Sequence, residues 1–283
     1  MQNQIEPNQI DLVAFGPEHL DEAVMLSRAE SWPHRPEDWL MVHQLSKGAV
    51  ATDGKGRVVG TIFVSPFGDD FATINMVIVD KSMRGLGLGR KLMERALELA
   101  EKRPLRLIAT KEGLPLYEKL GFVATGTIRQ HQGEVHAVAP PQGVEDMQAK
   151  DIAAVRALDH KAYNADRSAL FDALLERGKF AVVRKGDEIV GWAAIRPFGR
   201  GEVVGPVIAP DLETAKALIS YFVSSRQGSF IRIDTASEAE LAPWLAEIGL
   251  GHVGGGVTMR RPLIEDAHQH QHKIYALVSQ ALG

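Results

Sequence analysis

The sequence of 283 residues contains no cysteine. Disulfides, thiolate nucleophiles and zinc–cysteine sites all require this residue, so each of them is excluded. An excess of one charge is missing as well, because 32 Lys and Arg residues stand against 36 Asp and Glu, for a formal net charge of -4. Such a chain has no general basic field that would attract nucleic acid or an anionic membrane, so any phosphate binding must be local.

Long hydrophobic runs are also missing. No stretch approaches the roughly 20 apolar residues that a membrane-spanning helix needs, and residues 1–11 lack the basic-then-apolar pattern of a secretion signal. We therefore expect a cytoplasmic protein, monomer or homodimer, that binds neither nucleic acid nor a membrane. The length and the ordinary balance of 45% hydrophobic and 24% charged residues favour two globular domains.

The chain contains an internal repeat. The segment VVGTIFVSPFG at 58–68 recurs as IVGWAAIRPFG at 189–199, so that Gly60 corresponds to Gly191 at an offset of 131 residues. Three further blocks recur in the same order, at 76–80 and 207–211, at 105–107 and 231–233, and at 115–122 and 243–250. Four ordered matches favour a duplicated domain over two unrelated α/β domains with similar strands.

The repeat and the Pro-rich stretch between its copies define the domain boundaries. We predict a first copy at 1–138, a second copy at 139–262 and a C-terminal amphipathic helix at 263–283. His268 and His272 on that helix have a spacing that can hold a metal ion, but no third ligand accompanies them, so no metal is expected.

Each copy is predicted to begin with helices and to continue as a β-meander. In the first copy, residues 18–28 and 37–45 are predicted helices that each open with a Pro-Glu pair. The remaining predicted elements are strands at 49–53, 58–65, 71–79 and 105–109, a strand from 122, and helices at 88–101 and 115–120. This order predicts the α/β (α+β) class, with a mostly antiparallel sheet flanked by helices in each copy.

A glycine-rich loop follows the strand that ends at Val79. Its residues 84–91 read RGLGLGRK and open a predicted helix. Glycine lets the backbone approach a ligand closely, and the free N–H groups at a helix start bind anions. With positive charge from Arg84, Arg90 and Lys91, the loop predicts a pyrophosphate site. A Walker loop and a Rossmann loop are excluded, because the Gly-Lys-Ser/Thr ending and the βαβ context are missing.

At these residues the chain resembles the GNAT superfamily of N-acetyltransferases, whose acyl-CoA loop has the form Arg/Gln-x-x-Gly-x-Gly/Ala. Residues 84–89 fit that form, and LYEKLGF at 116–122 matches the family's later Leu-Tyr-x-x-x-Gly-Phe segment. The resemblance covers roughly residues 8–132. It implies two tandem GNAT-type domains, the second of them degenerate, with acetyl-CoA as co-substrate and the primary amine of a small molecule or peptide as acceptor.

The resemblance also implies roles for individual residues. The backbone of Val77 and Val79 would pair with the pantetheine arm, and the loop would hold the pyrophosphate. The implied cofactor-binding residues are Val77, Ile78, Val79, Arg84, Gly85, Leu86, Gly87, Leu88, Gly89 and Arg90. Tyr117 would protonate the departing CoA thiolate, and general acid help of this kind is worth about 10²–10⁴-fold.

Two positions depart from the family pattern. Asn75 stands where members often carry a Glu or His base, and an amide cannot take a proton at pH 7, although it can orient a water or the amine. We therefore place Asn75 in the catalytic set without a base role. Glu30, Trp32 and His34, between the first two helices, would line the acceptor site, with Glu30 and His34 as alternative bases. The second departure is Lys-Glu-Gly at 111–113, where members often place Asn.

The second copy has lost the loop and the acid. The residues at the positions of Arg84, Gly85, Gly87, Gly89 and Tyr117 are Ala215, Lys216, Leu218, Ser220 and Leu245. Pro210 also removes a backbone donor at the end of the strand. We expect one CoA per chain, with the second copy acting as a partner domain.

Two further points stay open at this stage. Asp234 and the Asp166–Arg167 pair can face the other copy and bind an acceptor, but surface ion pairs are the favoured interpretation. A non-catalytic module that binds or senses acyl-CoA is the alternative function, because the strand carboxylate is missing.

Overall fold

The computed structural model describes residues 10–236, 240–263 and 272–283. The first copy contributes β1 (Asp11–Ala14), α1 (Leu20–Ala29), α2 (Pro36–Gln44), β2 (Lys47–Thr52), β3 (Val58–Phe67), β4 (Phe71–Val79), α3 (Leu88–Ala100), β5 (Leu105–Ala109), α4 (Leu114–Lys119) and β6 (Val123–Glu134). The rest of the chain contributes β7 (Val144–Asp146), α5 (Ile152–Tyr163), α6 (Ser168–Arg177), β8 (Lys179–Lys185), β9 (Glu188–Phe198), β10 (Gly201–Ala209), α7 (Leu212–Val223), β11 (Phe230–Ala236), α8 (Ala242–Glu247), β12 (Gly251–Arg261) and β13 (Lys273–Ala276).

The strands of the described residues join into one mostly antiparallel sheet, and its helices lie on both faces, as predicted. The strand order is β1-β2-β3-β4-β5-β12-β6-β11-β13-β10-β9-β8-β7. The two copies exchange their last strands in this sheet: β12 lies between β5 and β6, and β6 pairs with β11 from Phe230↔Glu134 to Ala236↔Ile128. Each copy therefore completes the sheet of the other.

The helices form one layer on each face because the strand side chains alternate. In β3, Phe63 faces a core that both copies share under α1, α2, α5 and α6, while its neighbours Ile62 and Val64 face α3. Trp39 and Trp192, one from each copy, are fully buried in the shared core. The opposite face has a separate core under α3 and α4 and another under α7 and α8. No helix in the described part of the chain is long and apolar enough to cross a membrane.

The repeated Pro-Phe-Gly block forms the tip of a hairpin in each copy. Each tip contacts the other copy close to the connection between that copy's first two helices. Gly68 and Gly199 both have φ +55, a turn conformation that favours glycine. The Gly199 amide donates to Asp38 Oδ2 over 3.0 Å, and the Asp166 amide donates to Asp70 Oδ2 over 2.9 Å. Each copy of the block therefore forms an equivalent contact with the other copy.

The predicted C-terminal helix is wrong in its described part. Residues 273–276 form β13, and residues 277–283 form an irregular tail with Val278 fully buried. A short apolar run that is buried on all sides does not distinguish a strand from a helix by its periodicity. Residues 264–271, including His268, lie outside the described residues.

Candidate functional site

A wedge-shaped cleft opens in the sheet of the first copy. The parallel strands β4 and β5 pair only at Ala72↔Leu105 and Thr73↔Arg106, and beyond these pairs they separate. A bulge at Met76, with φ +49, bends β4, and the Met76 carbonyl accepts a bond from Thr61 Oγ1 over 2.7 Å. In the described residues no strand occupies the cleft side of β4 at 77–79, so this backbone edge is free to pair.

The glycine-rich loop lies at the open end of this cleft. Gly85 and Gly87 both have φ +79, and a Cβ at either position would meet no atom within 4 Å. Gly87 is the N-cap of α3, so the first N–H groups of this 13-residue helix point into the same space. An anion at this position gains both the free donors and the positive end of the helix dipole.

The predicted cofactor-binding side chains divide between the core and this opening. Ile78 and Leu88 are buried, whereas Leu86 at the loop tip is 45% exposed. Val77 and Val79 are half-buried against the α3 core. These positions leave the backbone of β4 and the tip of the loop as the accessible parts of the set.

Charged residues of the loop already have partners. Arg84 Nη2 lies 2.6 Å from Glu30 Oε1, and Arg84 Nε donates to the Val79 carbonyl over 3.3 Å. Arg90 pairs with Glu94 one turn along α3. The structure therefore places Glu30, predicted to bind the acceptor, at the loop arginine on the cofactor side of the cleft.

Gly89 serves helix packing. It lies in the first turn of α3, and a Cβ there would come within 3.3 Å of Leu116 Cδ2 on α4. The absence of a side chain lets α3 approach α4, the helix that carries Tyr117. The third glycine of the loop is thus explained by protein contacts, unlike Gly85 and Gly87.

Tyr117 is buried, with 7% of its surface exposed, and burial raises the pKa of its phenol to about 12. A Cβ at Gly113 would come within 2.8 Å of the Tyr117 ring, which accounts for Gly in the 111–113 segment. No described residue hydrogen-bonds the hydroxyl. At neutral pH the group therefore keeps its proton and is free to donate it.

Asn75 belongs to a buried polar network on β4. Its Nδ2 donates to Ser65 Oγ over 2.9 Å and to Thr73 Oγ1 over 3.3 Å. Its Oδ1 is buried and has no hydrogen-bond partner in the described residues. An unpaired buried acceptor costs free energy, so this oxygen is suited to receive a donor from a ligand or a water.

The loop between α1 and α2 brings the other two predicted acceptor residues against the second copy. The His34 ring lies edge-on to Trp32 at 5.8 Å and to Phe198 of the second copy at 5.7 Å. Burial, helped by the nearby Arg232 guanidinium, lowers the pKa of His34 to about 4. His34 is therefore neutral at pH 7 and a weak base.

Beside this loop lies a buried ion pair from the second copy. Arg232 donates to both oxygens of Asp234, over 2.9 and 3.0 Å, and Asp234 is fully buried. Arg167 is buried as well and lies 3.1 Å from Asp159. The interpretation of Asp234 and Arg167 as surface charges is wrong, because strand exchange and the contact between the copies cover them.

Arg196 is a buried charge between the copies that the sequence did not single out, and it lies 3.8 Å from Asp38. It is buried and lies over the Phe198 ring, and burial lowers its pKa to about 10. The repeat aligns Arg196 with Ser65 of the first copy. The sequence therefore shows only that a charged residue replaces a small one at this position. That signal does not report burial.

The second copy has a cleft of the same design, but the chain itself fills it. The parallel strands β10 and β11 pair only at Glu202↔Ile231 and Val203↔Arg232 before they separate. β13 enters between them and pairs with β10 from Val207↔Ala276 to Ala209↔Lys273, and with β11 at Thr235↔Ala276. The position that is open in the first copy is therefore occupied by a strand in the second.

Comparison with known families agrees with this duplicated architecture. The first copy matches an acetyltransferase (GNAT) domain over residues 45–124, and the second matches an acetyltransferase (GNAT) domain over residues 155–276. Together the two matches cover more than half of the chain. The protein belongs to the GNAT superfamily of acetyltransferases and carries two of its domains in tandem.

Individual relatives share the whole length. The uncharacterized N-acetyltransferase YitH of Bacillus subtilis is 28% identical, covering 96% of this chain and 98% of its own. Holothin acyltransferase of a Pseudoalteromonas species is 24% identical, covering 94% and 99%. Among solved structures, a protein of Pyrococcus horikoshii assigned as an acetyltransferase has a TM-score of 0.82 at 18% identity over 97% of this chain and 96% of its own, which shows the shared fold.

Proposed function

We propose that the protein transfers the acetyl group of acetyl-CoA to a primary amine, and that only the first copy performs the reaction. One observation carries this proposal: the cleft between β4 and β5 is open, while the corresponding cleft of the second copy holds β13. A strand fits the second cleft, so an extended ligand with amide groups fits the first. Pantetheine is such a ligand, because it carries two amides in an extended chain.

In this proposal the cofactor side of the site needs few side chains. The pantetheine amides pair with the backbone of β4 at 77–79, as β13 pairs with β10. The pyrophosphate lies at the start of α3, where Gly85 and Gly87 leave space and Arg84 supplies charge. For Arg84 to reach the pyrophosphate, its bond to Glu30 must be exchanged for one to the ligand.

The chemistry is a direct transfer. The amine nitrogen forms a bond to the acetyl carbon, the carbon–sulfur bond breaks, and the sulfur leaves with the electron pair as a thiolate. Tyr117 donates a hydrogen bond to that sulfur. Because the pKa of Tyr117 exceeds that of a thiol, about 8.5, complete proton transfer is uphill and the hydroxyl acts mainly as a donor to the developing charge. Juxtaposition of amine and thioester supplies most of the remaining acceleration.

The proton of the amine leaves on the other side of the cleft. Asn75 cannot accept it, His34 is a weak base, and Glu30 is engaged by Arg84. We place a water at Asn75 Oδ1, where it accepts the proton and passes it to solvent. The acceptor itself is the amine of a small molecule or a peptide; the Pseudoalteromonas relative, for its part, is named for the acylation of holothin.

A thiol-release assay tests this proposal. Acetyl-CoA is offered with tyramine, spermidine, glucosamine, single amino acids and short peptides with free α-amino groups, and calorimetry measures acetyl-CoA binding in parallel. Thiol release with at least one amine supports the transferase. Tight binding without release for every amine would instead support an acyl-CoA sensor, which the lack of a base on β4 favours.

A further inference from the structure

The tail at 277–283, which follows β13, packs into the core that the two copies share. Val278 and Leu282 are buried there in the same cluster as Phe67 and Phe71 of the first copy. The Leu277 amide donates to the Asp234 carbonyl over 2.9 Å, which continues the contact of β13 with β11. The tail is thus held by the filled cleft of the second copy and reaches the first.

Gln280 is the polar side chain of this tail that faces the central strands. Its Nε2 donates to Asp234 Oδ1 over 2.9 Å and to Gln130 Oε1 over 3.2 Å. These two bonds use both hydrogens of the amide and therefore fix its orientation. No described residue donates to the Gln280 Oε1, so this oxygen is left to accept a bond from a ligand.

The next residue ties the tail to the catalytic strand. Thr73 Oγ1 donates to the Ala281 carbonyl over 3.2 Å, and the same hydroxyl accepts a bond from Asn75 Nδ2. Asn75 Oδ1 has no partner in the described residues. The amide oxygens of Asn75 and Gln280, neither of which has a donor among the described residues, thus belong to residues joined through the Thr73–Ala281 hydrogen bond between β4 and the tail.

We infer that the tail is part of the acceptor site: Gln280 Oε1 binds the N–H groups of the acceptor, and the Ala281 carbonyl positions Asn75 through Thr73. The inference rests on the proposed function. A primary amine carries N–H donors that need acceptors. Gln280 Oε1 supplies one directly, and Asn75 Oδ1 holds the water that accepts the other, in both cases without a negative charge. The second copy then has a definite role. Its own cleft binds β13, and β13 fixes the position of Gln280, which belongs to the site of the first copy.

Gln280→Met tests the binding role, since methionine has a similar length and no amide. We expect the KM for the most active amine of the panel to rise about 10-fold or more, while the dissociation constant of acetyl-CoA stays within about twofold. Gln132→Met is the matched control, because Gln132 accepts a bond from Gln130 Nε2 at the far end of the same amide chain, whereas the hydrogen bonds of Gln280 go to Gln130 and Asp234. Its acceptor KM should stay near the wild-type value.

Hydrogen–deuterium exchange of the ligand-free chain tests the positioning role without any activity. Thr73→Val should speed exchange in β4 around Asn75, and Thr73→Ser, which keeps the hydroxyl, should restore protection. An unchanged acceptor KM in Gln280→Met, with an active wild type, would overturn the role of Gln280. If the wild type releases no thiol, the proposed function fails by itself, and unchanged β4 exchange in both Thr73→Val and Gln280→Met would then overturn the inference as well.

Discussion

Gly87→Glu separates the effect of a change on the ligand site from its effect on the fold. Gly87 has φ +79 and an empty space where a Cβ would lie, so a side chain meets no protein atom but projects to the start of α3. The left-handed conformation costs a non-glycine residue about 1–2 kcal/mol of the free energy of unfolding. The variant should therefore fold, with a melting temperature lower by a few degrees.

The loss of affinity follows from charge and volume. A carboxylate about 4 Å from one pyrophosphate charge costs about 1 kcal/mol in bulk water and about 4 kcal/mol at an effective dielectric constant near 20. These values correspond to a weakening of acetyl-CoA binding by about 5-fold to about 1,000-fold. Calorimetric titration with acetyl-CoA measures the effect, and circular dichroism checks the fold.

Gly228→Glu is the matched control. Gly228 has φ +77, also has no atom within 4 Å of a Cβ, and lies in the second copy between α7 and β11. The Gly228→Glu variant should lose about as much free energy of unfolding as Gly87→Glu and should bind acetyl-CoA as tightly as the wild type. Unchanged affinity in folded Gly87→Glu, or an equal loss in Gly228→Glu, would refute the assignment of the loop.

Three further predictions concern the same cleft. Tyr117→Phe should lower turnover by about 10–10³-fold with little change in acetyl-CoA affinity, because the hydroxyl acts in the transition state; full activity in steady-state kinetics would remove it from the mechanism. The chain should bind one equivalent of CoA in a stoichiometric titration, because β13 fills the second cleft, and two equivalents would contradict that closure. Glu30→Gln should tighten CoA binding by up to about fivefold, since a partly exposed ion pair worth about 0–1 kcal/mol no longer competes for Arg84; weaker binding in calorimetry would mean that Glu30 instead orients the arginine.

Local features of the site were predictable from the sequence. The helices α1 and α2 begin within two residues of their predicted starts, because a Pro-Glu pair opens the short 3-10 turn before α1 and the first turn of α2. The positive φ of Gly85 and Gly87 follows from a turn that only glycine tolerates well. These signals involve residues that are close together in the chain, so a short stretch of sequence is enough to predict them.

The partner of each strand was not predictable in this way. The sequence predicts the strand that becomes β6, but not its pairing with the other copy, because register and pairing depend on residues about 100 or more positions apart. For the same reason a chain ending near residue 139 would lack β12 between β5 and β6, so the first copy is not an independent unit.

The sequence by itself determined the duplication, the glycine loop and the loss of that loop in the second copy. The tertiary structure alone decided that β13 closes the second cleft, that Asp234 is buried, and that Glu30 meets Arg84. Composition and periodicity indicate which residues prefer to be buried and whether a segment forms a helix or a strand. Which apolar strand enters which cleft depends on the free energy of the whole sheet, where β13 covers the edge of β10 that would otherwise be unpaired.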